Sequence, residues 1–213
     1  MKLTALCIAA YLVGSINPAY LFTRWKKGVD IRECGTGNAG ATNAMFSLGM
    51  KPAIVIMLLD VTKAALCVTA ARLLLPKLAC AGAAAGLSCM VGHVLPAWLH
   101  FRGGKGTACM CGIILALTPA LVLPLLALAF VCGMIINRAS VLPLLTATLY
   151  IPSYYLYTGD GSVALLLALM IPLMLWSHRK NFFGRMEETP FRTMLFHRDL
   201  DHCVEQRESD DRS

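Results

Sequence analysis

Long apolar runs, parted by short polar breaks, dominate the chain and predict a series of membrane-spanning helices. Residues 3 to 23 form the first expected span. A signal peptide is the competing reading, with Lys2 as a weak basic start. No small-x-small cleavage site follows, and Arg24, Trp25, Lys26 and Lys27 crowd the far end, so a retained helix is expected. Residues 50–75 form a second span, interrupted by Asp60 and Lys63, and residues 78–98 a third. Residues 107–136 are too long for one ordinary span. Thr118 and Pro119 split them into a tight hairpin of two helices, the first of them short. Residues 141–157 and 162–177 form the sixth and seventh spans, and a charged tail starts at His178. The expected fold is all-α, a polytopic membrane domain over residues 1–190. Residues 191–213 are read as a charged cytoplasmic tail without packed structure.

Composition agrees with this pattern. The 213 residues are 57% hydrophobic and only 15% charged, with a mean hydropathy of +0.65. Soluble domains carry about 25% charged residues. The spans consume nearly the whole length, so no separate soluble domain fits. The net charge of +7 is not read as a nucleic-acid signal, because the basic residues flank apolar segments. They suit anionic headgroups and topology instead.

The charges also orient the helices. With seven spans and the amino terminus outside, eight loop cations and seven tail cations face the cytoplasm. Only Lys2, Arg72 and Lys77 face outward. This asymmetry follows the positive-inside rule. It brings three polar segments to one membrane face. These are Gly35–Asn43 (GTGNAGATN), Phe101–Thr107 (FRGGKGT) and the His178-Arg-Lys-Asn181 run after the last span.

Glycine-rich polar loops expose backbone N–H groups, and such groups beside a lysine hold anionic oxygens. In the second cassette Gly103, Gly104 and Gly106 permit close backbone approach, and Lys105 supplies a cation. Thr107 opens a helix whose first N–H groups are free. The sequence is not a nucleotide-binding P-loop, since Gly106 rather than Ser or Thr follows the lysine. The first cassette offers Gly35, Gly37, Asn38, Thr42 and Asn43 as binding groups and the Thr36 hydroxyl beside them. His178 and Asn181 share one face if the last helix continues, and His178 suits acid or base work near neutral pH.

Other features read as structural. Asp60 and Lys63 lie three apart and predict an ion pair, with lining of the polar site as the alternative. His93 reads as a structural hydrogen bonder. Gly82-Ala-Ala-Ala-Gly86 is a small-xxx-small face for close helix packing. The nine cysteines form no CxxC pair and no zinc pattern, so they read as small buried hydrophobes and no metal is expected.

At these residues the chain resembles the acyl-phosphate:glycerol-3-phosphate acyltransferase (PlsY) family, from the first span to about residue 190. GSINPAYL (Gly14 to Leu21) is similar to the family's opening signature. Asp30-Ile-Arg with GTGNAGATN resembles its first cytoplasmic motif, GHVLPAWLHFRGGKGT its second and HRKN the start of its third; the LLDVTK run also fits. The resemblance implies a seven-span acyltransferase at the cytoplasmic face of a bacterial plasma membrane. Its substrates would be acyl phosphate and glycerol 3-phosphate, and its products lysophosphatidic acid and phosphate. It implies no cofactor, no metal and no acyl-enzyme, with membrane lipids around a monomer. Thr36, Lys105, His178 and Asn181 take the family's catalytic positions.

Three departures stand against the family pattern. Phe46 occupies the place of a functional arginine. Asn137-Arg-Ala-Ser140 lacks the usual tyrosine. Glu187 and Glu188 only approximate the end of the third motif. A phosphate- or lipid-binding membrane protein or transporter on the same scaffold is therefore the rival expectation.

Overall fold

The computed structural model describes residues 1–138 and 141–183. Ten α-helices follow in order: α1 Lys2–Ser15, α2 Pro18–Lys27, α3 Ala41–Leu48, α4 Met50–Leu74, α5 Ala81–Val94, α6 Thr107–Leu117, α7 Val122–Ile136, α8 Val141–Thr158, α9 Gly161–Leu167 and α10 Met170–Phe183. Among the described residues, five helical stretches are long and apolar enough to cross a membrane: Lys2–Lys27, Met50–Leu74, Ala81–Leu99, Pro119–Ile136 and Gly161–Asn181. Thr107–Leu117 is apolar but shorter. Large apolar side chains such as Leu66, Leu73, Leu123, Ile135 and Leu165 stay exposed, as lipid-facing positions do.

The expected first span is two helices. The chain leaves helical geometry at Ile16, and Asn17 caps α2 by accepting the Tyr20 N–H at 2.9 Å. Pro18 takes the first helical position, where its missing N–H costs nothing. A break strands carbonyls at the end of α1. Lys63 of α4 answers them, its Nζ donating to Gly14 O at 3.0 Å and Ile16 O at 2.7 Å. The last expected span is also divided, between α9 and α10, and α10 carries on through Asn181. The start of the expected tail, His178 to Phe183, is thus helical.

The split at Thr118-Pro119 is where the sequence put it. Thr118 ends α6, and its buried hydroxyl meets the Tyr150 hydroxyl at 3.1 Å. The core is built mainly from α4, α5 and α6, with α1 against one side. Small residues set the approach. A Cβ on Gly92 would run into Tyr11 O, and one on Gly14 into Cys89 O, so α1 and α5 touch backbone to backbone. Gly86 likewise leaves room for Val68 and Ile113. A second, small core of Ala19, Ile31, Ala39, Ala44 and Ile56 sits under the first glycine cassette. That loop is therefore packed down rather than loosely hung.

Candidate functional site

The first cassette is organised by Asn43, which is fully buried at the start of α3. Its Nδ2 donates to Ile31 O and Cys34 O at 2.8 and 2.9 Å, and its Oδ1 accepts the Thr36 N–H at 2.9 Å. Gly35 and Gly37 adopt φ of +50° and +66°, conformations that L side chains rarely take. The loop so formed holds Thr36 and Thr42 at exposed positions, with Asn38 half-buried between them. Asn17 ties this loop to the α1–α2 break, donating to Ala39 O at 2.9 Å.

Beside it, Asp30 and Arg32 pair through two guanidinium nitrogens. The Arg32 hydrogen bond holds the Asp30 carboxyl below its ordinary value, and the same bond raises the guanidinium of Arg32. Arg32 also donates to Leu99 O at 2.7 Å, linking the two cassettes at their bases.

The second cassette doubles back on its own helix. His100 and Phe101 adopt φ of 56° and 58°, a left-handed bend that non-glycine residues seldom make. The returning strand of chain then bonds the end of α5: Gly103 N–H to Val94 O and Gly104 N–H to His93 O, each at 3.1 Å. Side chains are excluded here by contact with the protein itself. A Cβ on Gly103 would strike His93 O and Pro96; one on Gly104 would strike the His93 ring and approach Ala39 O to 2.9 Å. Gly104 is thus the point where the two cassettes meet. Gly106, at φ +85°, turns the chain into α6.

Lys105 stands between the cassettes and α10. Its Nζ donates to Asn181 Oδ1 at 2.8 Å, and its carbonyl accepts from the Ser177 hydroxyl at 3.0 Å. His178, on the same face of α10 as Asn181, is 3% exposed. Its Nδ1 lies 3.1 Å from Met174 O, which can only accept. The Ser177 hydroxyl lies at the same distance from Nδ1. The structure brings Lys105, Asn181, Ser177 and His178 together and seats the first cassette against Gly104. Phe46 is half-buried on α3. Ser140, Glu187 and Glu188 lie outside the described residues.

Behind the loops is a cluster that the sequence offers as an ion pair, with lining of the polar site as the alternative, and a separate structural histidine. Lys63 Nζ is 2.7 Å from Asp60 Oδ1, and His93 Nδ1 lies 3.3 Å from the same oxygen. Asp60, His93 and Cys109 have the donor types and closeness to hold a metal ion. The Lys63 ammonium already supplies a cation to Asp60 there. Asn17 was missed as a loop anchor, although Asn followed by Pro is a helix-start signature.

Known proteins match this arrangement along most of the chain. The family model described as "Glycerol-3-phosphate acyltransferase" matches residues 4–187. A protein of that name from Myxococcus xanthus (strain DK1622) is 40% identical over 187 residues, 87% of this chain and 97% of the relative. One from Sinorhizobium medicae (strain WSM419) is 40% identical over 188 residues, 88% of this chain and 91% of the relative. Among solved structures, the glycerol 3-phosphate form of PlsY, described as an integral membrane glycerol 3-phosphate acyltransferase, superposes with a TM-score of 0.82. It is 26% identical and covers 92% of this chain and all of its own. The lysophosphatidic acid form gives a TM-score of 0.77 at the same identity and coverage.

Proposed function

The chain belongs to the glycerol-3-phosphate acyltransferase family, and on that premise we propose that it moves a fatty acyl group from acyl phosphate to glycerol 3-phosphate. The acceptor hydroxyl oxygen attacks the acyl carbonyl carbon, and the bond from that carbon to the phosphate oxygen breaks. Lysophosphatidic acid and inorganic phosphate leave. Both substrates are anions, so the site has to hold two phosphates near one cation and a set of N–H donors.

The observation that carries the reading is the Lys105–Asn181 hydrogen bond, which joins the second cassette to α10 beside His178. Lys105 and the N–H groups at the start of α6 hold phosphate and answer the charge that develops as the acyl–phosphate bond breaks. His178 accepts the hydroxyl proton. Thr36 and Thr42 present hydroxyls to the glycerol phosphate from the first cassette, with Gly35, Gly37 and Asn38 shaping the loop. Asn181 fixes the direction of Lys105. The basic flanks of the helices support a site facing the cytoplasmic leaflet of a bacterial plasma membrane. One chain carries every residue of the proposed site, which supports a monomer as the working unit.

The test is purified protein in detergent with acyl phosphates of several chain lengths and glycerol 3-phosphate. Lysophosphatidic acid, measured by mass spectrometry, and released phosphate should appear one to one. Lys105→Ala should lower the rate by roughly 100-fold or more, the usual cost of losing a charge-stabilising donor. Wild-type protein that binds glycerol 3-phosphate but turns over none of the donors would overturn the proposal in favour of a binding or transport role.

A further inference from the structure

Asp60, Lys63 and His93 touch none of the proposed reacting atoms, yet each is at most 9% exposed. Burying ionisable groups is costly, and a protein retains them where their geometry matters. Here Lys63 links the cluster to distant backbone. Lys63 reaches from α4 to Gly14 O and Ile16 O and holds the α1–α2 break. Its ammonium also forms an ion pair with Asp60 Oδ1 at 2.7 Å. His93 Nδ1 meets Lys63 Nζ at 3.1 Å and lies 3.3 Å from the same carboxylate oxygen. The His93 ring is thereby fixed, with its Nε2 side against Gly104, while His93 O accepts the Gly104 N–H. On the other side of the break, Asn17 holds Ala39 O, and that oxygen closes on Gly104 from the first cassette.

Gly104 thus lies between two groups, the His93 ring and Ala39 O, that one buried cluster locates. The next residue is Lys105. We infer that Asp60, Lys63 and His93 are positioning residues: together they set the register of Gly104, and through it the place of Lys105 opposite Asn181. The inference rests on the acyl-transfer reading for its assay.

Removing the cluster should cost turnover in excess of stability. The decisive protein is the double variant Asp60→Asn/Lys63→Met. It leaves no unpaired charge in the core, so its melting temperature should rise above that of Lys63→Met alone, though the Gly14 and Ile16 carbonyls stay unanswered. Its kcat should remain about 10- to 100-fold down, since misplacement of a catalytic group by about 1 Å costs that order. KM for glycerol 3-phosphate should move less than about threefold, well below the change in kcat. A double variant whose kcat recovers together with its melting temperature overturns the inference and leaves a purely structural pair. Should the double variant fail to fold, His93→Gln keeps the Lys63–Asp60 pair and serves instead. It should lose at least about tenfold in kcat while still folded, and an unchanged kcat refutes the role. Wild-type protein without acyl transfer would instead sink the activity itself.

Discussion

Replacing Asn181 by alanine tests the junction on which the site depends. The substitution removes the oxygen that accepts from Lys105 Nζ at 2.8 Å and leaves the cation in place. Hydrogen bonds to charged groups contribute roughly 1.5–3 kcal/mol. Both side chains are part-buried, so the lower end applies, about 1.5 kcal/mol. That corresponds to roughly a tenfold fall in kcat/KM. Initial rates of phosphate release across a glycerol 3-phosphate series measure it, with a melting curve on the same sample. If Asn181 acts by directing Lys105, its effect should vanish once the lysine is gone. Lys105→Met/Asn181→Ala should then be no slower than Lys105→Met, a coupling that a double-mutant cycle reads directly. Asn181→Asp should be worse than alanine, because a carboxylate neutralises Lys105 and repels phosphate. Asn181→Ala within twofold of wild type, or a double variant slowed by the product of the two single effects, would refute the reasoning.

Gly92→Ala should destabilise the protein by about 1–3 kcal/mol through overpacking, because its methyl would meet Tyr11 O where α1 and α5 cross; thermal unfolding in detergent measures it. Phe46→Arg should lower KM for glycerol 3-phosphate by adding a cation on α3, and steady-state kinetics that show no fall would mean that this position does not face substrate. Asp30 has a folded-state value below the ordinary 3.8, so its pair with Arg32 stabilises the loop fully above that value. The contribution is lost as the pH falls through the depressed value. Asp30→Asn should therefore lower the melting temperature at neutral pH, by no more than about 1 kcal/mol in stability. The gap to wild type should narrow only as the pH falls below the ordinary value of 3.8.

What the sequence made legible was local. Apolar runs marked the helices, Thr118-Pro119 marked a true division, and the spacing of His178 and Asn181 put them on one face of α10. The glycines of the second cassette were legible as close approach, but the approaching groups were hidden. Gly103 and Gly104 make room for His93 and Pro96 of the protein itself, and a glycine in a sequence does not say what it faces. Asn43 read as a polar group available to a ligand, and it proves to be the buried hub of its own loop. Asn17-Pro18 is a helix start embedded in an apolar run, so hydropathy averaged across it conceals the break. The reach of Lys63 to Gly14 and Ile16 spans 49 and 47 positions. A contact at such distance leaves no periodic trace along the chain.

The break between α1 and α2 has a consequence for biosynthesis. The carbonyls of Gly14 and Ile16 find their partner in Lys63, on a helix made later than both segments they join. During synthesis the amino-terminal segment therefore enters the bilayer before its own hydrogen bonding can be completed. Asn17 and Pro18 set the bend locally, and the hydrogen bonding of the bend is completed only when Lys63 of α4 lies alongside.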